Sequence, residues 1–206
     1  DKTFLETRAA DIRFVIDVAV DSAGAMPPSL RGRLDPNALG VFGHSFGAVT
    51  TGRVLDLDAR PKAGLVIAAP IEGFLGPTKM ASIKHPVFML LAQEDNSISE
   101  IGNKIIRQNF KDANPPAWLA EVADAGHWSF SDIAGLTSAL MPGCGTAQRQ
   151  TDVTEEFTYL DNEGARSLAA AYVVAYFRYA LASDAAGKAF FLAGHPKDLV
   201  TVQARE

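Results

Sequence analysis

Two runs of the chain, Leu65-Val66-Ile67-Ala68-Ala69 and Val87-Phe88-Met89-Leu90-Leu91, carry no polar side chain at any position. A strand with one face in water alternates apolar and polar residues, so runs apolar throughout are strands covered on both faces, as in a parallel sheet under helices. The segments around them fit that arrangement. Leu39-Gly40-Val41-Phe42 is a further short apolar run, followed by Gly43 and by helix-forming composition from Phe46 to about Leu55. A helix is expected from about Ser99 to Phe110, a strand near Trp118 to Val122, and a long final helix from about Glu163 to Ala182. Upstream, Ile12, Val15, Ile16 and Ala19 stand at i, i+3, i+4 and i+7, which predicts an amphipathic helix from about Phe4 to Val20, ahead of a Pro/Gly/Arg loop from Gly24 to Pro36. Strands alternating with helices give an α/β fold with a parallel sheet flanked by helices.

Composition narrows the function classes. The 206 residues suit one domain, and 48% apolar residues are enough to build its core. Nineteen Lys and Arg against twenty-four Asp and Glu leave a net charge of −5, which speaks against a nucleic-acid partner, whose phosphates need clustered cations. The apolar stretch Leu168 to Phe177 stops at Arg178, short of the roughly 18 to 20 residues of a membrane span. The single cysteine, Cys144, excludes an internal disulfide framework and a multi-cysteine zinc site. With no His pair at i, i+4 and no ligand cluster nearby, neither a metal nor another cofactor is expected.

Gly43-His44-Ser45-Phe46-Gly47 fits G-x-S-x-G and lies between an apolar strand and a helix, the context that pattern requires. The turn holds its serine in a strained conformation, and glycines on either side let strand and helix approach. The Ser45 hydroxyl is then expected to project above the carboxyl edge of the sheet, with the Phe46 N–H at the helix start facing a developing oxyanion.

A hydroxyl becomes a nucleophile only when a base takes its proton, and that base needs a third group to hold its tautomer. In α/β-hydrolases acid and base follow the serine in that order, each after a later strand. Ala92-Gln93-Glu94-Asp95 follows one strand and Ala123-Asp124-Ala125-Gly126-His127 the next. Asp95 is the candidate acid: Glu94 occupies a similar place, but Asp95-Asn96-Ser97 is a turn that favours a short carboxylate. Asp124 is too near His127 in sequence and reads as a loop cap. Among four histidines, His44 adjoins the serine, His85 precedes Pro86 at a strand entrance and His195 lies in the tail; only His127 follows the acid at a strand end.

At these positions the sequence resembles the α/β-hydrolase superfamily. More narrowly, Arg8-x-x-Asp11-Ile12-Arg13-Phe14-Val15-Ile16-Asp17, Gly43-His44-Ser45-Phe46-Gly47 and Gly126-His127-Trp128-Ser129-Phe130-Ser131-Asp132 resemble the bacterial predicted-dienelactone-hydrolase and platelet-activating-factor-acetylhydrolase-like esterases, over roughly residues 4 to 185. Cutinase-type polyester hydrolases are similar at the serine turn and more distant elsewhere. The resemblance implies carboxylic ester hydrolysis by Ser45, His127 and Asp95 on a small-molecule substrate. A secreted or periplasmic location is compatible with it. Dienelactone hydrolases proper carry cysteine where this chain has Ser45, and Cys144 is expected to be a buried or idle thiol, or half of a disulfide with a cysteine outside this chain. In the resembling family about half of the sheet precedes the first helix seen here. Residues 1 to 206 are therefore expected to be the carboxyl-terminal portion of one domain. Its N-terminal strands and second oxyanion donor would come from an upstream segment, covalent or separate, and Leu39 to Phe42 would lie at a bare edge. The start at Asp1, without Met or a leader-like apolar stretch, agrees with a processed form or fragment.

Ile71, Ile98, Trp128 and Phe130 each follow a strand end or a candidate catalytic residue and are expected to line an apolar acyl or alcohol pocket, although Trp128 and Phe130 also suit a core. Ser131 to Met141 is expected to form a short helix over the site entrance, and no insertion between Ala69 and Pro86 is long enough for a large lid. A serine peptidase or thioesterase would use the same three groups. A non-catalytic module of this fold would ordinarily have lost one of them.

Overall fold

The computed structural model describes residues 2–20, 26–73, 75–133, 136–137, 140 and 143–206. Among the described residues the α-helices are α1 (Lys2–Val20), α2 (Phe46–Leu57), α3 (Ser99–Asp112), α4 (Asn162–Ala182) and α5 (Ala185–Leu192), the first three alternating with strands β1 (Gly40–His44), β2 (Ala63–Ile67), β3 (Val87–Ala92) and β4 (Ala117–Val122). A small hairpin, β5 (Thr146–Gln148) and β6 (Glu156–Thr158), precedes α4, and β7 (Val200–Arg205) ends the chain. The main sheet has the order β1-β2-β3-β4-β7, with β1 to β4 parallel and β7 antiparallel to β4.

The continuous apolar runs are accounted for by burial on both faces. Along β3, Val87, Met89 and Leu91 enter a cluster with Val49, Leu55, Ile106 and Phe110 under α2 and α3. Phe88, Leu90 and Ala92 enter a second cluster with Trp118, Tyr172, Tyr176 and Phe191 under α4 and α5. Fully burying a side chain of this size contributes about 1.5 to 3 kcal/mol, so these alternating residues supply much of the drive for layering. The starts of α4 and α5 are marked by side chains that accept orphan backbone N–H groups: Asp161 caps Glu163 and Gly164 in α4, and Asp184 caps Ala186 in α5.

Several expectations are corrected. The helix ending at Ala182 is not the last element: α5 and β7 follow, so residues expected as a tail close the sheet beyond β4. Helix α1 forms, but Leu5, Ala9 and Ile16 are its buried residues, whereas Ile12, Phe14 and Val15 are exposed. Its apolar residues cover more than one stripe, and α1 packs chiefly on α2, so only one narrow face is covered. Strand β1 is outermost in the sheet, with Phe42 exposed beside Phe177. Part of the short helix expected over 131–141 lies outside the described residues. Among the described residues no helix is long and apolar enough to cross a membrane.

Candidate active site

The carboxyl ends of β1, β3 and β4 lie along one edge of the sheet, so residues just beyond them converge although they are far apart in sequence. Ser45 follows β1 directly and caps α2 with φ 56° and ψ −125°, a strained conformation for a residue with a Cβ. Its N–H donates to the Ile67 carbonyl at 2.9 Å, which holds the turn onto the end of β2. Gly43 is required sterically, because a Cβ there would lie 2.2 Å from the Gly47 carbonyl oxygen. The expected symmetry of the two glycines does not hold: a Cβ on Gly47 would meet nothing within 4 Å.

Beyond β3, Asp95 is completely buried. Its Oδ1 accepts the N–H groups of Ser97 and Ile98, each at 3.0 Å, leaving Oδ2 for His127. The turn is anchored from below by Asn103 of α3, whose amide donates to the carbonyls of Ala92 and Gln93. Beyond β4, His127 is 2% exposed and donates from Nδ1 to Asp95 Oδ2 at 2.8 Å. That bond fixes the tautomer and leaves Nε2 as the acceptor for the Ser45 hydroxyl, 2.7 Å away. The three predicted residues are therefore in one proton-sharing line. An imidazole so held can take a proton from the hydroxyl while the carboxylate stabilises the resulting cation. The Phe46 N–H, first in α2, has no intrahelical acceptor and points from the positive end of the helix.

The serine's neighbour does more than pack. His44 Nε2 donates to the His127 carbonyl at 2.7 Å, and its ring stands 4.8 Å from that of His127 and 5.5 Å from that of Trp128. Burial, seconded by the charge of His127, pushes its pKa down to about 4, against the opposing influences of the bond to the His127 carbonyl and the charge of Asp95. His44 is thus neutral in the folded protein at pH values where the unfolded chain, with its ordinary value of 6.5, already binds a proton. Its contribution to stability is fully present above pH 6.5 and falls as the pH drops toward 4. Urea unfolding at pH 7 and pH 4.5 should show His44→Gln removing on the order of 2 kcal/mol of the wild-type acid loss. An unchanged pH dependence in the variant contradicts a neutral, buried His44.

The predicted pocket residues are not brought together. Ile71 is 1% exposed and belongs to the core under α2, its side chain against Gly52. Ile98 packs on that same cluster, whereas Phe130 packs on the cluster under α4, across the sheet. These side chains follow strand ends, but apolar contact with the helix layers draws them inward. Trp128 stays beside the reacting groups, edge-on to His127 at 4.9 Å. A mostly apolar cavity of about 540 Å³ lies between α4, α5 and the segment 195–199 that precedes β7, and its lining includes none of Ser45, Asp95 and His127. Among the described residues no group of three or more His, Cys, Asp and Glu is placed to hold a metal.

The two rival carboxylates have a different job. Glu94 and Asp124 both accept from Arg149, at 3.1 and 2.8 Å, and Glu94 also accepts the Gln150 N–H at 2.9 Å. Sequence reasoning missed Arg149: it lies 55 residues from Glu94 in a segment with no periodicity, and no local signal marks it.

No family model matches this chain, and no curated protein matches it. Solved structures do. One is a ferulic acid esterase from Streptomyces cinnamoneus at 2.4 Å resolution, with a TM-score of 0.61, 22% identity, and coverage of 88% of this chain and 50% of that one. The chain has the α/β-hydrolase fold. It spans about half the length of the esterase structure it matches.

Proposed function

We propose that this chain carries the catalytic residues of a serine hydrolase that cleaves carboxylic esters through an acyl-enzyme. The observation that carries the reading is the line from Ser45 Oγ, half-buried, through the buried His127 to the buried Asp95, at 2.7 and 2.8 Å. Ser45 Oγ attacks the ester carbonyl carbon as His127 Nε2 takes its proton, and the negative charge passes to the carbonyl oxygen, facing the Phe46 N–H. Collapse of this intermediate breaks the bond to the alcohol, which leaves with the proton from His127. Water then attacks the acyl carbon, giving its proton to His127, and the acid departs as Ser45 recovers its hydrogen. Asp95 stays ionised throughout and stabilises the imidazolium.

The fold shared with a ferulic acid esterase agrees with an oxyester substrate. Trp128, beside His127, is the apolar residue best placed to meet the acyl or alcohol group. A matched series of p-nitrophenyl oxyester, thioester and anilide substrates tests the reading. Oxyester turnover well above the other two is expected; a preference for the thioester or the anilide would move the assignment to a thioesterase or a peptidase.

A further inference from the structure

Three segments distant in sequence meet behind the candidate triad: the acid turn after β3, the histidine turn after β4, and the arm that carries β5 and β6. Arg149 joins all three. Its Nη1 donates to Glu94 Oε1 on the acid turn and Asp124 Oδ1 on the histidine turn, its Nε donates to Glu155 at 2.7 Å, and its guanidinium stacks on the Phe157 ring at 4.8 Å. The backbone repeats the connection. The Glu94 N–H donates to the Ala125 carbonyl, the Leu160 N–H to the Asp124 carbonyl, and the Tyr159 hydroxyl to the Glu94 carbonyl at 3.3 Å. Ser129 Oγ accepts the Gly126 N–H and donates to the Gly143 carbonyl. Gly126 and Gly143 pack so closely that a Cβ on Gly126 would lie 2.7 Å from Gly143 Cα.

We propose that Arg149 is a positioning residue for the hydrolysis: by bridging Glu94 and Asp124 it fixes the acid turn against the histidine turn, so that Asp95 and His127 meet in register. This rests on the serine-hydrolase reading. Two observations favour it over a purely surface role. Glu94 adjoins Asp95 and is nearly buried, so its carboxylate needs a partner; and Asp124, three residues before His127, stands at a left-handed turn position, φ 55°, where the Arg149 bond ties the histidine turn to the acid turn. The charged and titratable groups around His127 are Asp95 from the β3 turn, His44 from β1, and, farther out, Glu94, Asp124, Arg149 and Tyr159. The Tyr159 hydroxyl is pushed up to about 12, chiefly by burial, and is neutral. Without the guanidinium, two carboxylates behind the imidazole favour its protonated form.

Phosphonate labelling of wild type with the adduct mapped comes first: no adduct on Ser45 defeats the hydrolase reading, and Arg149 then has nothing to position. Given wild-type labelling, Arg149→Met should lower kcat by about 10- to 100-fold with KM changed far less. The acid limb of its pH–rate profile should move up by about 0.5 to 1 pH unit. Arg149→Lys should return the limb toward wild type, since it keeps the charge, and recover kcat only in part, since it loses the forked geometry. The double variant Glu94→Gln, Arg149→Met should likewise return the limb. A wild-type limb and kcat in Arg149→Met, with or without a lower melting temperature, overturn the proposal. Should Arg149→Met fail to fold, Arg149→Lys decides: a reduced kcat at an unchanged limb supports the proposal, and an unchanged kcat overturns it.

Discussion

Ser45→Ala lowers oxyester turnover by about 10⁶-fold while the protein keeps its fold. The hydroxyl is the atom that forms the bond to the acyl carbon, so its removal leaves His127 with no proton to take and the substrate with no nucleophile. The structural cost is small by comparison. The side-chain bond lost is the one to His127 Nε2, and a single such bond contributes about 0.5 to 1.5 kcal/mol. The turn itself is held by the Ser45 N–H to Ile67 and by the close approach of Gly43 to Gly47, neither of which needs the hydroxyl. Circular dichroism and the melting temperature should therefore stay near wild type. Turnover near wild type in a folded Ser45→Ala protein would place the nucleophile elsewhere.

Asp95→Asn should cost about 10⁴-fold in kcat. The shape of the side chain is kept, so the effect comes from hydrogen-bond polarity. Oδ1 of Asp95 already accepts two backbone N–H groups, which an asparagine satisfies only with its carbonyl oxygen in that place. The amide nitrogen then faces His127 Nδ1 and donates to it. His127 becomes the opposite tautomer, with its proton on Nε2 directed at Ser45 Oγ, and the general base is lost. Steady-state kinetics on an oxyester measure the drop. A loss below about tenfold would mean that His127 is oriented by its neighbours alone, such as His44 on its carbonyl.

Much of this architecture is legible in the sequence because it follows from short-range pattern. Strands buried on both faces are apolar almost throughout, so β2 and β3 stand out, β4 departs from the pattern only at Glu121, which Arg107 neutralises, and the serine turn is marked by its place between a strand and a helix. Order along the chain then singles out Asp95 and His127, since parallel strands bring their carboxyl ends to one edge. What the sequence hides is set by non-local packing. The three-residue strands β5 and β6 are too short for a period to show, and β7 is defined by pairing with β4, a strand distant in sequence. Ile71 and Phe130 follow strand ends as pocket residues would, yet whether such a residue faces substrate or core is decided by the helices that cover it. Arg149 is the clearest case: its importance lies in joining Glu94 to Asp124, and neither spacing nor composition records that they meet.

Covalent labelling by a fluorophosphonate, with the modified peptide mapped by mass spectrometry, tests most directly whether an activated serine sits at the end of β1. One adduct per chain on Ser45, forming much more slowly in His127→Gln, is the predicted result. An adduct on another residue, or none on a protein that turns over an oxyester, would contradict it.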